Sequence, residues 1–330
     1  MLLKTLLAIV LSVVITLAVA VVLVVSDPAT PAAPVAATGG LDFADYLANT
    51  AGGTVAPPLQ NATMRDGYAL AYRRFDGPLG APMLVLVHGS GWHGLQFVQI
   101  AQQLSKKATV LVPDLRGHGA APGRRGDIDY VNQLEDDLVD LITALHEPGQ
   151  KIVLGGHSSG GGLVVRFAGS DYGQLLDGAV LIAPFLKHNA PTTRKNAGGW
   201  ATVHQRRMIG LSILNAVGIS TFNDKTVIRF AMPDLVLDGP LGDTATTGYS
   251  YRLNTGFAPR DDYLADVAGL PPFVVIAGAD DEAFYADKYE ETMAAVSDKG
   301  TYVIVPGKGH LGIVDAPETV QAIGGFLDAI

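Results

Sequence analysis

Short apolar runs alternate with stretches of helical period along most of this chain, and that alternation constrains the fold more than any other feature. Strand-length runs fall at 68–75, 83–87, 109–112, 152–154, 179–182, 273–277 and 302–305. Between them, apolar residues at three- and four-residue steps predict helices over 95–104, 130–145, 159–168, 283–296 and 316–327. Strands alternating with helices imply an α/β fold with a mostly parallel central sheet, and helices on both faces require strands apolar on both sides. The rhythm breaks once. Residues 185–266 hold helix-like pieces, a Pro/Gly/Thr-rich patch from Pro233 to Gly248 and no clear strand. That length is too great for a loop, so it reads as a helical cap inserted between two core pieces, 59–184 and 267–330.

Gly156-His157-Ser158-Ser159-Gly160 stands directly after the apolar strand at 152–154 and opens a glycine-rich helix. This is the strand–turn–helix setting of a nucleophile elbow, a strained turn that lifts a serine hydroxyl above the sheet. The pattern alone also suits an ordinary glycine-rich turn, and its surroundings decide against that. The Ser159 N–H, at a helix N-terminus, can face a developing oxyanion. Val87-His88-Gly89-Ser90-Gly91-Trp92 follows the strand at 83–87, where a His-Gly turn supplies a second oxyanion N–H, here from Ser90. His88 is then a turn residue and not a base. Asp114-Leu115-Arg116-Gly117-His118-Gly119 follows the next strand and is read as structural, holding a loop near the site.

A serine nucleophile needs a base, and the base an orienting acid. The chain order on this fold is Ser, acid, His, with the last two after the final strands. Gly309-His310-Leu311-Gly312 follows the strand at 302–305, and of the eight histidines only His310 combines that place with a glycine-rich loop. Gly278-Ala279-Asp280-Asp281-Glu282 follows the strand at 273–277. Asp281 is favoured as the acid by a Gly-x-x-Asp turn, Asp280 is the alternative, Glu282 ranks third, and the unused carboxylates read as solvated turn charges.

Residues 64–330 resemble the monoacylglycerol lipase and lysophospholipase-like (serine aminopeptidase-type) branch of the α/β-hydrolases. The resemblance rests on His88-Gly89, Asp114 to Gly119, Tyr130 with Asp136-Asp137-Leu138, Gly156 to Gly160, and Gly309-His310. It implies ester hydrolysis through an acyl-enzyme on Ser158, a cap over the pocket and no cofactor; no metal is expected. Members of that branch usually carry Met where Ser159 stands. An apolar acyl site is expected in the cap from Phe185, Trp200, Met208, Ile209 and Phe222, although each also suits the cap's own core. Small-peptide or amide hydrolysis and thioester hydrolysis share the triad and remain alternatives. A catalytically silent, membrane-tethered binding module is a further one, weakened because all three triad positions are filled.

The first 25 residues obey a different rule. From Thr5 to Val25 the chain is almost entirely Leu, Ile, Val and Ala, interrupted after Thr5 only by Ser12 and Thr16. About 20 apolar residues cross a bilayer, whereas a cleaved signal has an apolar region of about 7–15. A single-helix membrane anchor is therefore favoured, with a cleaved signal and secretion as the alternative. Lys4 before the segment and Asp27 after it place the catalytic part on the extracytoplasmic side. A Pro/Ala-rich tether is expected over 26–58, with a short helix over 41–51. The net charge of −9 gives nucleic-acid binding no support, and the absence of cysteine removes disulfides and thiolate chemistry. Expected partners are thus a small ester or lipid and the membrane. Arg194, Lys195, Arg206 and Arg207 form a local basic group, read either as a solvated face or as a contact for anionic headgroups.

Overall fold

A computed structural model of the 330-residue chain describes residues 1–27, 41–43, 55–195 and 199–330. The expected tether and the short helix over 41–51 fall mostly outside the described residues.

Helix α1 (Leu2–Val25) is the one described helix long and apolar enough to cross a membrane. Beyond it, strands β1 (Gln60–Thr63), β2 (Ala69–Phe75), β3 (Met83–Val87), β4 (Thr109–Pro113), β5 (Ile152–His157), β6 (Gly178–Ile182), β10 (Phe273–Gly278) and β11 (Gly300–Val305) build the main sheet. Among the described residues it has eight strands in the order β1-β2-β4-β3-β5-β6-β10-β11. The β1–β2 and β2–β4 pairs are antiparallel and every later pair is parallel. Helices α2 (Val98–Leu104), α3 (Gln133–Leu145), α4 (Ser159–Ala168) and α8 (Tyr289–Ala294) lie between these strands in the chain, and α9 (Pro317–Ala329) follows the last of them. Every residue of β3, β4, β5, β6 and β10 is buried, as a sheet covered on both faces demands.

The segment between β6 and β10 departs from expectation. It is not purely helical: β7 (Ala201–Val203), β8 (Thr226–Phe230) and β9 (Gly248–Ser250) form an antiparallel sheet of order β7-β8-β9. These strands run for 3, 5 and 3 residues, too short for a period-two signal to stand out. The segment also holds helices α5 (Gln205–Ala216), α6 (Tyr251–Gly256) and α7 (Tyr263–Ala268) and a four-residue helical turn, Asp234–Leu237. In the core, β1 went unforeseen and the helix expected over 95–104 begins as a 3-10 turn, Gly94–Phe97.

Candidate active site

Strand β5 delivers Ser158 into a backbone conformation of φ 55° and ψ −121°, outside the basins of ordinary L residues. Three backbone bonds hold it there. Its N–H donates to Ile182 O at 3.0 Å, and its carbonyl accepts from Gly162 N–H at 3.0 Å and Phe185 N–H at 2.9 Å. The flanking glycines are required by closeness: a Cβ on Gly156 would lie 2.4 Å from Gly160 O, and one on Gly160 would lie 2.2 Å from Val87 O. Strain at a single serine, fixed by its neighbours, is what a nucleophile elbow needs.

The loop after β10 brings Asp281 to His310, from the loop after β11. The His310 Nδ1 and Asp281 Oδ2 are 2.8 Å apart, and the two side chains are almost wholly buried. Asp281 Oδ1 accepts from the N–H groups of Ala283 and Phe284, both at 2.8 Å. Burial pushes this carboxyl up, but the facing His310 and the hydrogen bonds from His310 and the two backbone N–H groups outweigh it, and the pKa lies below the ordinary value. An ionised carboxylate can only accept, so the hydrogen between them is donated by His310 Nδ1. Asp280 is exposed on the same turn. Glu282 is not a free turn charge: its Oε2 accepts from His310 N–H at 2.7 Å and fixes the loop that carries His310.

The loop after β3 is tied down by residues the sequence did not single out. Gln96 accepts from Gly89 N–H at 2.9 Å, and its amide nitrogen lies 2.6 Å from His157 Nδ1. His157 Nε2 then donates to His310 O at 2.9 Å, so one chain of contacts runs from the loop to His310. On the other side of Ser90, Gly91 N–H donates to the Tyr249 hydroxyl at 2.7 Å, which donates in turn to His118 Nε2 at 2.7 Å. Tyr249 lies on β9, so the segment between β6 and β10 grips this loop directly. Ser90 Oγ and Ser159 Oγ are 2.5 Å apart, which brings the two residues expected to supply oxyanion donors side by side. Neither Gln96 nor Tyr249 carried a sequence motif; only their distant partners did.

The Asp114–Gly119 segment braces the site from behind. Asp114 accepts from Gly94 N–H at 2.8 Å and faces Arg73 at 3.5 Å. Arg116 makes a bidentate pair with Asp137 at 2.8 and 2.7 Å and stacks 4.0 Å over Tyr68. Burial holds His88 down to about 4, and His93 and His157 down to about 3, so each is neutral near pH 7.

Ser158 and His310 line one cavity with Ser90, Leu41, Phe43, Trp92, Trp200, Met232 and Leu311. Of the expected acyl-site residues, Trp200 is in its wall. Phe185 instead packs near Phe284, with ring centroids 6.2 Å apart, and Met208 and Phe222 pack beside α1. Ile209 is exposed. Phe185, Met208 and Phe222 thus take the other reading given for them, packing within the protein, while Ile209 faces outward away from the cavity wall. Phe43, with its ring 5.5 Å from that of Trp200, and Leu41 join the wall instead. The expected basic group is also split, since Arg194 donates to Asp281 O at 2.8 Å while Arg206 and Arg207 bind the end of α1.

Structures of similar fold include a monoglyceride lipase of Saccharomyces cerevisiae, 17% identical with a TM-score of 0.62, covering 84% of this chain and 96% of that one. An esterase from Thermogutta terrifontis is 22% identical with a TM-score of 0.58, over 82% of this chain and 98% of its own. Among curated sequences, an uncharacterised protein of Mycobacterium bovis is 31% identical over 129 residues, which is 39% of this chain and 36% of the relative's length. The chain thus matches little more than a third of that relative. A family model described as the alpha/beta hydrolase family matches residues 84–322, and on that match the chain belongs to the alpha/beta hydrolase family.

Proposed function

We propose that this protein is a membrane-anchored serine hydrolase that cleaves carboxylic esters with an apolar acyl group. The observation that carries the reading is that His310, paired with the buried Asp281, lines one apolar-walled cavity with Ser158 at a strained elbow. His310 Nε2 takes the Ser158 proton as Oγ attacks the ester carbonyl. The N–H groups of Ser90 and Ser159 stabilise the tetrahedral oxyanion, each worth about 10²–10³ in rate. His310 then gives its proton to the departing alcohol, and water, deprotonated by the same imidazole, releases the acid. Trp92, Trp200, Met232, Leu311, Leu41 and Phe43 offer the acyl chain a nonpolar wall. Helix α1 is read as the anchor, with Lys4 on the cytoplasmic side and the hydrolase domain outside.

The test is turnover of p-nitrophenyl esters from acetate to palmitate by the full chain in detergent, with Ser158→Ala as control. Serine-dependent turnover rising with chain length supports the reading. Fluorophosphonate labelling of Ser158 without turnover of any ester would move the substrate to an amide or thioester. No labelling of a folded chain leaves the silent binding module.

A further inference from the structure

Helix α1 does not end in free chain. Leu17, Ala20 and Val24 share one face of it, and Ala20 and Val24 are buried against Leu211, Leu214 and Val227 of the cap. The helices touch at Gly210, where a Cβ would lie 2.5 Å from Ala20 O and 2.9 Å from Val24 Cγ2. Just past α1, Asp27 Oδ2 accepts from Arg207 N–H at 2.8 Å, in the first turn of α5, whose own N-cap, His204, makes no side-chain capping bond. Asp27 therefore caps α5 from another part of the chain. Arg206 reaches Ser26 Oγ at 2.9 Å and Arg207 reaches Asp27 O at 2.8 Å. The start of α5 is thus level with the end of α1, while Leu211 and Leu214 lie beside Ala20 and Leu17. Helix α5 runs back down along α1.

That geometry fixes a depth. Were the bilayer to end where the α5 contact begins, Leu2–Thr16 would be left to span it, extending about 22 Å at about 1.5 Å per residue. A hydrocarbon core of about 30 Å is longer. All of α1, 24 residues, extends about 36 Å and suffices. We infer that α5 and the turn after it enter the outer leaflet beside α1, with the Ser26–Asp27 and Arg206–Arg207 cluster at headgroup level. The inference rests on reading α1 as a membrane anchor and goes beyond it by assigning lipid contact to the cap.

The chemistry of α5 suits that medium. Past Arg207 it carries no charge through Phe222. Its polar side chains are satisfied internally: Asn215 and Asn223 exchange amide bonds at 2.7 and 2.8 Å, and Ser212 Oγ lies 3.2 Å from the Tyr251 hydroxyl. The helix closes on itself through Gly218 at φ 80°, with Ile219 N–H donating to Leu214 O and Gly218 N–H to Asn215 O. The N–H groups of Val217, Gly218 and Ile219, just past the end of the helix, are thus partnered within the protein, which lowers the cost of setting this end beside hydrocarbon. Ile209, Val217 and Ile219 remain exposed on the protein and would be covered by lipid. Upstream, β7 joins α5 to the cavity residue Trp200, so a cap held in the leaflet keeps the site a few residues from lipid.

The natural absence of cysteine allows a direct test on the full chain in phosphatidylethanolamine–phosphatidylglycerol vesicles. Val217→Cys and Ile219→Cys would be labelled with an environment-sensitive fluorophore, alongside Leu11→Cys within α1 and Leu79→Cys, which is fully exposed on the core. All four are surface positions, so folding is not at issue. The expected result is blue-shifted emission at 11, 217 and 219, quenched by nitroxide-labelled lipid and not by iodide, with the reverse at 79. Lipid quenching at 11 with iodide quenching at 217 and 219 overturns the inference and leaves the anchor standing. Iodide quenching at 11 as well removes the anchor, and the inference with it.

Discussion

Behind the cavity, His310 is held by a run of polar groups, whereas between α1 and α5 the chain meets mainly methyl groups and one glycine. His310, Asp281, Glu282, His157, Gln96 and the loop at Gly89 form a continuous set of hydrogen bonds. Removing one partner there strands another in low dielectric, at about 1–3 kcal/mol for a neutral group. The α1–α5 contact has its polar groups only at its rim, at Ser26, Asp27, Arg206 and Arg207. Its interior depends on shape. The two regions should therefore fail differently: the first through chemistry and protonation, the second through volume and loss of a helix cap.

The largest effect should come from Asp281→Asn. The amide can still accept from Ala283 and Phe284 N–H, but it no longer fixes the proton on His310 Nδ1. Turnover of a soluble ester is expected to fall about 10⁴-fold with the melting temperature nearly kept. A loss under tenfold would remove Asp281 as the orienting acid and leave the polar set a structural device only.

Acid should separate the two regions next. His88, His93 and His157 have folded-state pKa values held near 4, 3 and 3 by burial, against 6.5 when unfolded. The unfolded chain takes up protons that the folded one refuses. Their contribution is complete above about 6.5 and is lost as pH falls toward 3–4, by up to about 1.4 kcal/mol per pH unit for each imidazole. Asp27 behaves otherwise. Burial pushes its carboxyl up, but the Arg207 N–H, His204 and the Arg207 charge prevail and hold it below 3.8, so the clamp keeps its charge through this window. Thermal melts of the detergent-solubilised chain should lose stability steadily from pH 7 to 5. A flat profile would mean that the buried imidazoles exchange protons with solvent in the folded state.

How far each region was legible follows from the same contrast. The strands, the elbow at Ser158, His310 and the Gly-x-x-Asp turn all lie within a few residues of a strand end, where pattern and motif coincide. Gln96 and Tyr249 were not legible, because each acts on a loop far away in sequence: Gln96 on His157, and Tyr249 on Gly91 and His118. The cap strands were hidden by their shortness. Met208 and Phe222 looked like pocket residues because an apolar side chain in a cap has two destinations, and only the position of α1 decides between them. Apolar length made α1 visible, yet nothing in its own sequence marks Ala20 and Val24 as a contact face. The signal lay in Gly210, an otherwise costly glycine inside a helix.

Gly210→Ala tests that contact by volume. Its methyl group would meet the backbone oxygen of Ala20 and the side chain of Val24, and only a shift of one helix relieves it. Overpacking of this kind costs about 1–3 kcal/mol. The melting temperature should drop while turnover of a short, soluble ester at room temperature stays within about twofold. An unchanged melt would show that α1 leaves α5 in the membrane, and the contrast between the two regions would then reduce to the core alone.

The smallest effect is expected at Asp27, and two variants divide it. Asp27→Ala removes both the charge facing His204 and the acceptor for Arg207 N–H, leaving an orphan donor at the start of α5. Loss of an N-cap acceptor costs about 0.5–2 kcal/mol. Asp27→Asn keeps an acceptor oxygen and removes only the charge, whose attraction for the α5 N-terminus is worth about 0.3–1 kcal/mol. Urea denaturation in detergent should therefore rank wild type above Asp27→Asn and Asp27→Ala below both. If both variants lose the same amount, the charge holds the α1 end to α5, salt should weaken the contact, and the rim resembles an ordinary ion pair. If Asn costs almost nothing, Asp27 acts as a helix cap supplied by the segment that follows α1. Cleaving the chain after α1 would then leave α5 its cap, whereas cleaving beyond Asp27 would uncap the cap domain's longest helix.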